Sequence, residues 1–411
     1  MADTPKIRFK GFADAWEQRK LGEIAGRTYG GGTPKTNIME YWDGYIPWIQ
    51  SSNLMEHELF NSDIQKYITD EGLAKSAAQL VPPNSIAVVS HVGVGKLVFI
   101  PFKYTTSQDF ISLSELKAEP IFTCYSIYKR LQNDIHIVQG SAIKGITKDD
   151  LLSKEILLPS EPEQTKIGMY FRKLDHLITL HQHKCDETKE LKKYMLQKMF
   201  PRNGKKIPEI RFAGFTDDWE KRKLGDYCDM YNGDRSNKYP NAQDMVSDGI
   251  PFINAGDLEN GHVNVTTANK ITKEKYDDLG GAKLQMGDIV YCLRGTLGKN
   301  AYIDNFKEGT VASSLVAIRP KNINGRYLFY ILNSDIEYHQ RVVHDEGAAQ
   351  PNLSAKSVSE FIMPVPDIEE QNKVASYFDN LDNLITLHQR KCEQLKEVKK
   401  FMLQNMFPQN G

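Results

Sequence analysis

At 411 residues, 40% of them hydrophobic and 26% charged, the chain has room for two or three separate cores and the composition of a globular protein. Its formal net charge of −1 lacks the basic excess by which a free-standing nucleic-acid binder holds phosphate, so any such contact has to be local or shared with partners. No apolar run approaches the ~18 residues of a membrane span, and the polar N-terminus does not read as a signal peptide. Cys124, Cys185, Cys228, Cys292 and Cys392 occur singly without CxxC spacing, which speaks against a disulfide framework and a zinc site and leads to the expectation of a reducing cytoplasm.

The first element met along the chain, IRFKGFADAWEQRKLG at 7–22, returns as IRFAGFTDDWEKRKLG at 210–225 with 12 of 16 positions identical. Next come IPWIQSSNL at 46–54, read as a strand and turn, and SIAVVSHVGVGKLVFIPF at 85–102, read as two strands around a glycine turn. Between Pro162 and Pro201 the apolar residues Ile167, Tyr170, Leu174, Leu177, Leu191 and Met195 fall on a 3,4 heptad seam, with His181, Lys184 and Thr188 in its middle. Such a helix over 163–200 runs about 57 Å at 1.5 Å per residue. RNGKKIPEI at 202–210 has linker chemistry.

The second half repeats the order with IPFINAGDL at 250–258 and DIVYCLRGTLGKNAYI at 288–303. Its helix seam is Val374, Tyr377, Leu381, Leu384, His388, Lys391, Leu395, Val398 and Met402. LITLHQHKC at 177–185 becomes LITLHQRKC at 384–392, and MLQKMFP at 195–201 becomes MLQNMFP at 402–408. The repeat offset drifts only from 203 to 207, yet the middles of the halves have diverged. One scaffold built twice with two surfaces suits a protein that binds two unlike targets. The expected fold class is α+β: two mixed α/β globular domains (1–160 and 204–366), each followed by a long helix (161–203 and 367–411). The helices are expected to pair as an antiparallel coiled coil about a pseudo-twofold axis. Cys185 and Cys392 read as small buried apolar residues, and His181 and His388 as polar residues that set helix register.

Catalytic motifs are lacking. VGVGKL and TLGKNA carry a Gly-Lys pair without the upstream glycine or hydroxyl of a phosphate loop, and read as tight strand turns. VPPN at 81–84 is not the [DN]PP[YF] of amino-methyltransferases, there is no dinucleotide fingerprint, and the histidines show no HExxH spacing.

Several passages together resemble the specificity subunit of type I restriction–modification systems over essentially the whole chain. GGTPKTNIMEYWDGYIPWI at 31–49 is similar to that family's opening GTP…YW…IPW, and LRGTLGK at 293–299 to its RG-x-x-G turn. GAAQPNLS at 347–354 leading into FIMPVPDIEEQNKV at 361–374 is similar to its passage into the helix. The first half departs with SHVGVGK at 90–96 and GSAIKGIT at 140–147, placing His91 where Arg294 stands; the second offers YNGDRSNKYP at 231–240 in place of GTP…YW. The resemblance implies a non-catalytic DNA-reading subunit whose globular regions are target-recognition domains, each reading half of a bipartite site. Its paired helices would set the spacer and dock two methyltransferase (modification) subunits, which restriction/translocase subunits then join. The chain itself would hold no cofactor; S-adenosylmethionine, ATP and magnesium would belong to those partners.

Base readout needs Arg or Lys against guanine and Asn or Gln against adenine. Candidates on expected loops are Lys35, Gln50, Asn53, His91, Lys96, Gln108 and Lys144 in the first domain, and Arg235, Lys238, Asn254, Arg294, Lys299, Gln350 and Asn352 in the second. Each also reads as a solvated loop residue. Arg294 stands apart because it lies beside a glycine turn that lets backbone approach DNA closely. Tyr29 and Tyr231 are candidates for stacking, while Trp48, between Pro47 and Ile49, reads as core. Competing readings are a DNA-binding regulator or a coiled-coil scaffold acting without methyltransferase partners, and a methyltransferase with an embedded recognition domain. Near-neutral charge weighs against the first, divergent middles against the second, and missing catalytic motifs against the third.

Overall fold

A computed structural model describes residues 4–137, 145–202, 204–345 and 352–408. The chain divides into two compact units, residues 1–182 with 389–411, and residues 183–388.

The first unit contains β1 (Glu17–Lys20), α1 (Leu21–Ile24), β2 (Ala25–Gly30), β3 (Trp42–Ile49), β4 (Lys66–Ile68), α2 (Asp70–Ala74), β5 (Ser85–Val89), β6 (Leu97–Ile100), β7 (Thr105–Thr106) and β8 (Phe110–Leu116). After these come α3 (Pro120–Ile137), α4 (Lys148–Ser153), β9 (Glu155–Leu158) and the first part of α5 (Glu161–Lys198). An antiparallel sheet runs β2-β8-β5-β6, a smaller one runs β4-β3-β7 with β3 and β7 parallel, and β1 pairs with β9. β5 is buried along its length because its alternate residues feed two cores. Ile86 and Val88 join Leu113, Tyr125, Phe171 and Phe407, while Ala87 and Val89 join Ile49, Leu54, Val98 and Phe110.

The second unit repeats this plan with little of the sequence. It contains β10 (Glu220–Lys223), β11 (Cys228–Asn232), β12 (Met245–Val246), β13 (Ile250–Ile253), β14 (Leu258–Glu259), β15 (His262–Val263), β16 (Asn269–Ile271) and α6 (Lys273–Asp278). Then come β17 (Ile289–Cys292), β18 (Asn300–Tyr302), β19 (Thr310–Val311), β20 (Leu315–Pro320), α7 (Gly325–Ile331), α8 (Asp335–His344), α9 (Ala355–Ser359), β21 (Ile362–Val365) and α10 (Ile368–Asn405). The sheet β11-β20-β17-β18 matches β2-β8-β5-β6, β16-β13-β19 matches β4-β3-β7, and β10-β21 matches β1-β9. Along β17, Ile289 and Tyr291 enter one core and Val290 and Cys292 another. Both strand pairs expected around glycine turns, and both strand-and-turn segments, are present as β5–β6, β17–β18, β3 and β13.

The repeated sequence does repeated work where each long helix begins. Arg8 donates Nε and Nη2 to Glu163, both at 2.7 Å, and Arg211 does the same to Glu370 at 2.7 and 2.8 Å. Both carboxylates are fully buried. Gln164 Nε2 donates to Pro159 O while its Oε1 accepts Glu119 N–H; Gln371 bonds Pro366 O and Asn324 N–H in the same way. Thus each EQ pair ties its helix to the preceding strand and to the entry of the neighbouring helix, α3 or α7.

Helix pairing is antiparallel within each unit. In the first, Lys399 lies 2.6 Å from Asp175 and the Cys392 thiol faces Ile178 O at 3.9 Å. In the second, the repeat equivalents recur: Lys192 lies 2.6 Å from Asp382 and Cys185 faces Ile385 O at 4.0 Å. Tyr125 donates to Asp175 at 2.6 Å, and Tyr330 to Asp382 at 2.8 Å and Asp379 at 2.7 Å. Burial, and then the neighbouring carboxylates, push both hydroxyls up, so they remain donors at all ordinary pH. All five cysteines are buried and free, and burial pushes the Cys228 thiol up to about 12.

The seam departs from the sequence expectation at several of its positions. Phe171, Cys185 and Lys192 take inner places expected for Tyr170, Lys184 and Leu191; Lys184 is exposed and Leu191 is 44% exposed. In α10, Phe378, Cys392 and Lys399 displace Tyr377, Lys391 and Val398 likewise. The steps therefore read 4,3 where 3,4 was expected. Counting apolar residues favours Leu191 over Lys192, but Asp382 neutralises the lysine and lets it lie along the neighbouring helix. Leu191→Ala is accordingly expected to change stability by no more than about 0.5 kcal/mol, and Lys192→Ala to cost roughly 1.5–3 kcal/mol by removing the cation that neutralises half-buried Asp382. Denaturant unfolding of the two variants measures the difference. By the same method Glu370→Ala should cost about 3–5 kcal/mol, since it leaves Arg211 without its buried partner and removes the acceptor of Trp219 Nε1.

Candidate nucleic-acid interface

At one end of each unit's larger sheet, four chain segments meet. In the first unit they are the loop after β2, the end of β3, the β7–β8 turn and the β5–β6 turn. Ser107 N–H bonds Ile49 O, Gly32 N–H bonds Thr106 O and Ser90 N–H bonds Asp109 O, all at 2.7–2.8 Å. Gly31 is required here, because a Cβ on it would sit 1.7 Å from Ser107 O. The second unit uses the equivalent bonds: Ala312 N–H to Ile253 O at 2.8 Å and Leu293 N–H to Ser314 O at 2.9 Å. A Cβ on Gly233 would sit 2.3 Å from Ala312 O. The connector before α4 or α9 closes the group, with Ile146 N–H on Ser90 O at 2.7 Å and Leu353 N–H on Leu293 O at 3.0 Å.

Upon this shared backbone the side chains differ. In the first unit Thr33 Oγ1 donates to Gln108 Oε1 at 2.6 Å, and His91 is exposed with Nδ1 3.0 Å from Ser90 Oγ. Ser90 Oγ also donates to Asp109 O at 2.8 Å, which leaves its oxygen to accept from His91 Nδ1–H. In the second unit Arg235 donates to Ser313 O at 3.2 Å, and exposed Arg294 donates Nε–H to Asn352 Oδ1 at 3.0 Å.

Other sequence candidates are held by the scaffold. Lys96 Nζ donates to Leu54 O at 3.0 Å and Lys299 Nζ to Ala255 O at 2.8 Å, each tying its glycine turn to the short helical turn after β3 or β13. Asn53 is buried, with Oδ1 on Gln50 N–H and Nδ2 on Asp63 O. Gln50 and Asn254 begin those turns, and Asn254 Nδ2 reaches only Phe252 O at 3.4 Å. Lys35 is exposed and accepts Trp42 Nε1–H on its carbonyl at 3.1 Å. Lys238 pairs with Asp278 at 2.5 Å. Lys144 and Gln350 lie outside the described residues. Trp48 is core, as its sequence context indicates, while Tyr231 is exposed and carries the Arg319 guanidinium over one ring face at 4.7 Å.

Thr33, Ser313 and Asp234 were not anticipated. The readable signal was the glycine after a strand, GGT or GDR, which frees the next side chain to project. Asp234 is buried and accepts Ser236 N–H at 2.6 Å and Gly280 N–H at 2.7 Å. Bonds from Ser236, then Gly280, hold its carboxyl below the ordinary value of 3.8. Its anchoring is therefore at full strength above that value and is lost as pH falls through the lowered one. The anchored loop borders an open cleft of about 650 Å³, lined by Tyr231, Asp234, Arg235, Lys238, Asp278 and Gly281.

The profile of the type I restriction modification DNA specificity domain matches the chain twice, over residues 13–190 and 216–397. The MjaVIII type I restriction enzyme specificity subunit of Methanocaldococcus jannaschii is 22% identical over 399 residues, spanning 94% of this chain and 90% of that one. The MjaIX specificity subunit of the same organism is 23% identical over 412 residues, spanning 94% and 91%. In fold the chain is similar to the S subunit of a type I restriction–modification system from M. genitalium, with TM-score 0.64 and 16% identity over 99% of this chain and 100% of that one. Two matched domains covering most of its length place this chain in the type I restriction–modification DNA specificity family, whose role is DNA recognition.

Proposed function

We propose that the chain is the non-catalytic specificity subunit of a type I restriction–modification enzyme, each unit reading one half of a bipartite DNA site. The observation that carries this reading is the pairing of a repeated backbone with unrepeated tips. His91 and Arg294, Thr33 and Arg235, Gln108 and Ser313, and Gly145 and Asn352 occupy equivalent places and present different donors and acceptors. Different base-edge patterns require such differences, whereas two identical targets would not. The net charge of −1 supports a division of labour in which partners supply much of the phosphate contact. Those partners are two methyltransferase subunits and restriction/translocase subunits, carrying S-adenosylmethionine, ATP and magnesium, and the place of action is the cytoplasm.

Two experiments test it, both read by methylome sequencing in cells that express the chain with its modification subunits. Exchanging residues 16–159 for those of a relative should change one half of the methylated motif; a change in both halves would exclude independent reading. Arg294→Ala should relax one position of the other half-site, since a lost bidentate arginine–guanine contact costs roughly 1–3 kcal/mol of discrimination. An unchanged motif and rate would remove Arg294 from the reading surface.

A further inference from the structure

The backbone at Arg294 is fixed from several directions. Leu293 is clamped between Ser314 O and Leu353 N–H, the Cys292 thiol donates to Arg294 O at 2.9 Å, and Gly298 N–H returns to Cys292 O at 3.2 Å. Gly295 and Gly298, at φ +78° and +79°, complete a turn that residues with a Cβ rarely adopt. The Cα of Arg294 is therefore placed by the scaffold, while its long side chain retains several torsions. What restrains that side chain is Asn352, whose Oδ1 takes the Nε–H. Asn352 is itself held, by a β-bridge to Arg294 and by its own N–H on Asp345 Oδ1 at 2.8 Å.

We infer that Asn352 is a positioning residue for Arg294 and not a reader of bases. By engaging Nε it leaves the two Nη groups, with four N–H bonds, directed outward. That edge of the guanidinium matches the O6 and N7 acceptors of guanine. Restricting the arginine before DNA arrives removes ordering that binding would otherwise have to supply. Among the described residues the first unit has no counterpart to this arrangement. At Gly145, the equivalent position, a Cβ would sit 2.8 Å from Ser90 O and 3.0 Å from the His91 ring, so a side chain there would collide with the residue it had to support. His91 is oriented from below instead, by Ser90. The two tips thus fix their projecting side chains by different means.

The inference rests on the reading of Arg294 as a base contact, and the experiment separates the two. Full-length Arg294→Ala, Asn352→Ala and Asn352→Asp chains, each assembled with the modification subunits, methylate a plasmid library randomised across the half-site, and base preference is read by sequencing. Arg294→Ala should erase preference at one base pair. Asn352→Ala should weaken preference at that same base pair by about 2- to 12-fold, and Asn352→Asp, which keeps the acceptor oxygen, should retain it. Should Asn352→Ala alter a different base pair, the asparagine is a reader in its own right and the inference falls. It falls equally if Asn352→Ala leaves the arginine's base pair untouched, or if Asn352→Asp loses preference as fully as alanine does. If Arg294→Ala changes nothing, the reading of Arg294 fails first and takes the inference with it.

Discussion

Two buried carboxylates, Glu163 and Glu370, hold the architecture together. Each sits in the opening turn of a long helix, out of water, and is neutralised by an arginine from the start of its own repeat. A carboxylate so placed is costly to bury unless every contact is kept. The Arg-x-Phe segment and the helix entry are thereby constrained to one mutual geometry. In the second unit Trp219 adds its Nε1–H to Glu370 at 2.9 Å, whereas Trp16 Nε1 finds no partner among the described residues, so the two copies are not equally satisfied. This constraint accounts for the near-identity of residues 7–22 and 210–225, which supply the arginine and the tryptophan beside it.

Freed from that joint, the middles diverge widely while keeping their hydrogen-bond skeleton. Three of the tip's backbone bonds recur in both units, to Ile49 and Ile253 O, to Asp109 and Ser314 O, and to Ser90 and Leu293 O, and backbone pairing asks nothing of side-chain identity. Packing asks only that alternate strand residues be apolar, which Ile86–Val89 and Ile289–Cys292 satisfy with different side chains. Surface positions at the tip are then free to change one by one without loss of the fold.

Much of this was legible in the sequence because it was written in periodicity and repetition. The strands around both glycine turns and both long helices could be read from apolar spacing and from proline brackets, and the helices' pairing from the need of two amphipathic faces for a partner. What resisted reading depended on partners remote in sequence. The inner place of Lys192 is intelligible only with Asp382, and the confinement of Lys96 and Lys299 only with carbonyls at Leu54 and Ala255. A lysine beside a glycine turn looks the same in sequence whether its ammonium faces water or closes a loop. The exposure of Arg294 was legible because its glycine neighbours announced a turn; the contacts of Thr33 and Ser313 were not, since each depends on a partner remote in sequence.

The exchange of helix ends has a consequence for biosynthesis. Phe407, near the end of the second long helix, packs against Trp16, Phe122 and Phe171, and Ile7 N–H bonds Asn405 O. The unit that contains residue 7 therefore lacks part of its core until residue 407 has left the ribosome. The unit formed by 183–388 is continuous and meets no such delay. Domains usually fold in the order of synthesis, N-terminal first. Here completion runs the other way: every segment of the middle unit is made before the first unit has its last core residue, Phe407.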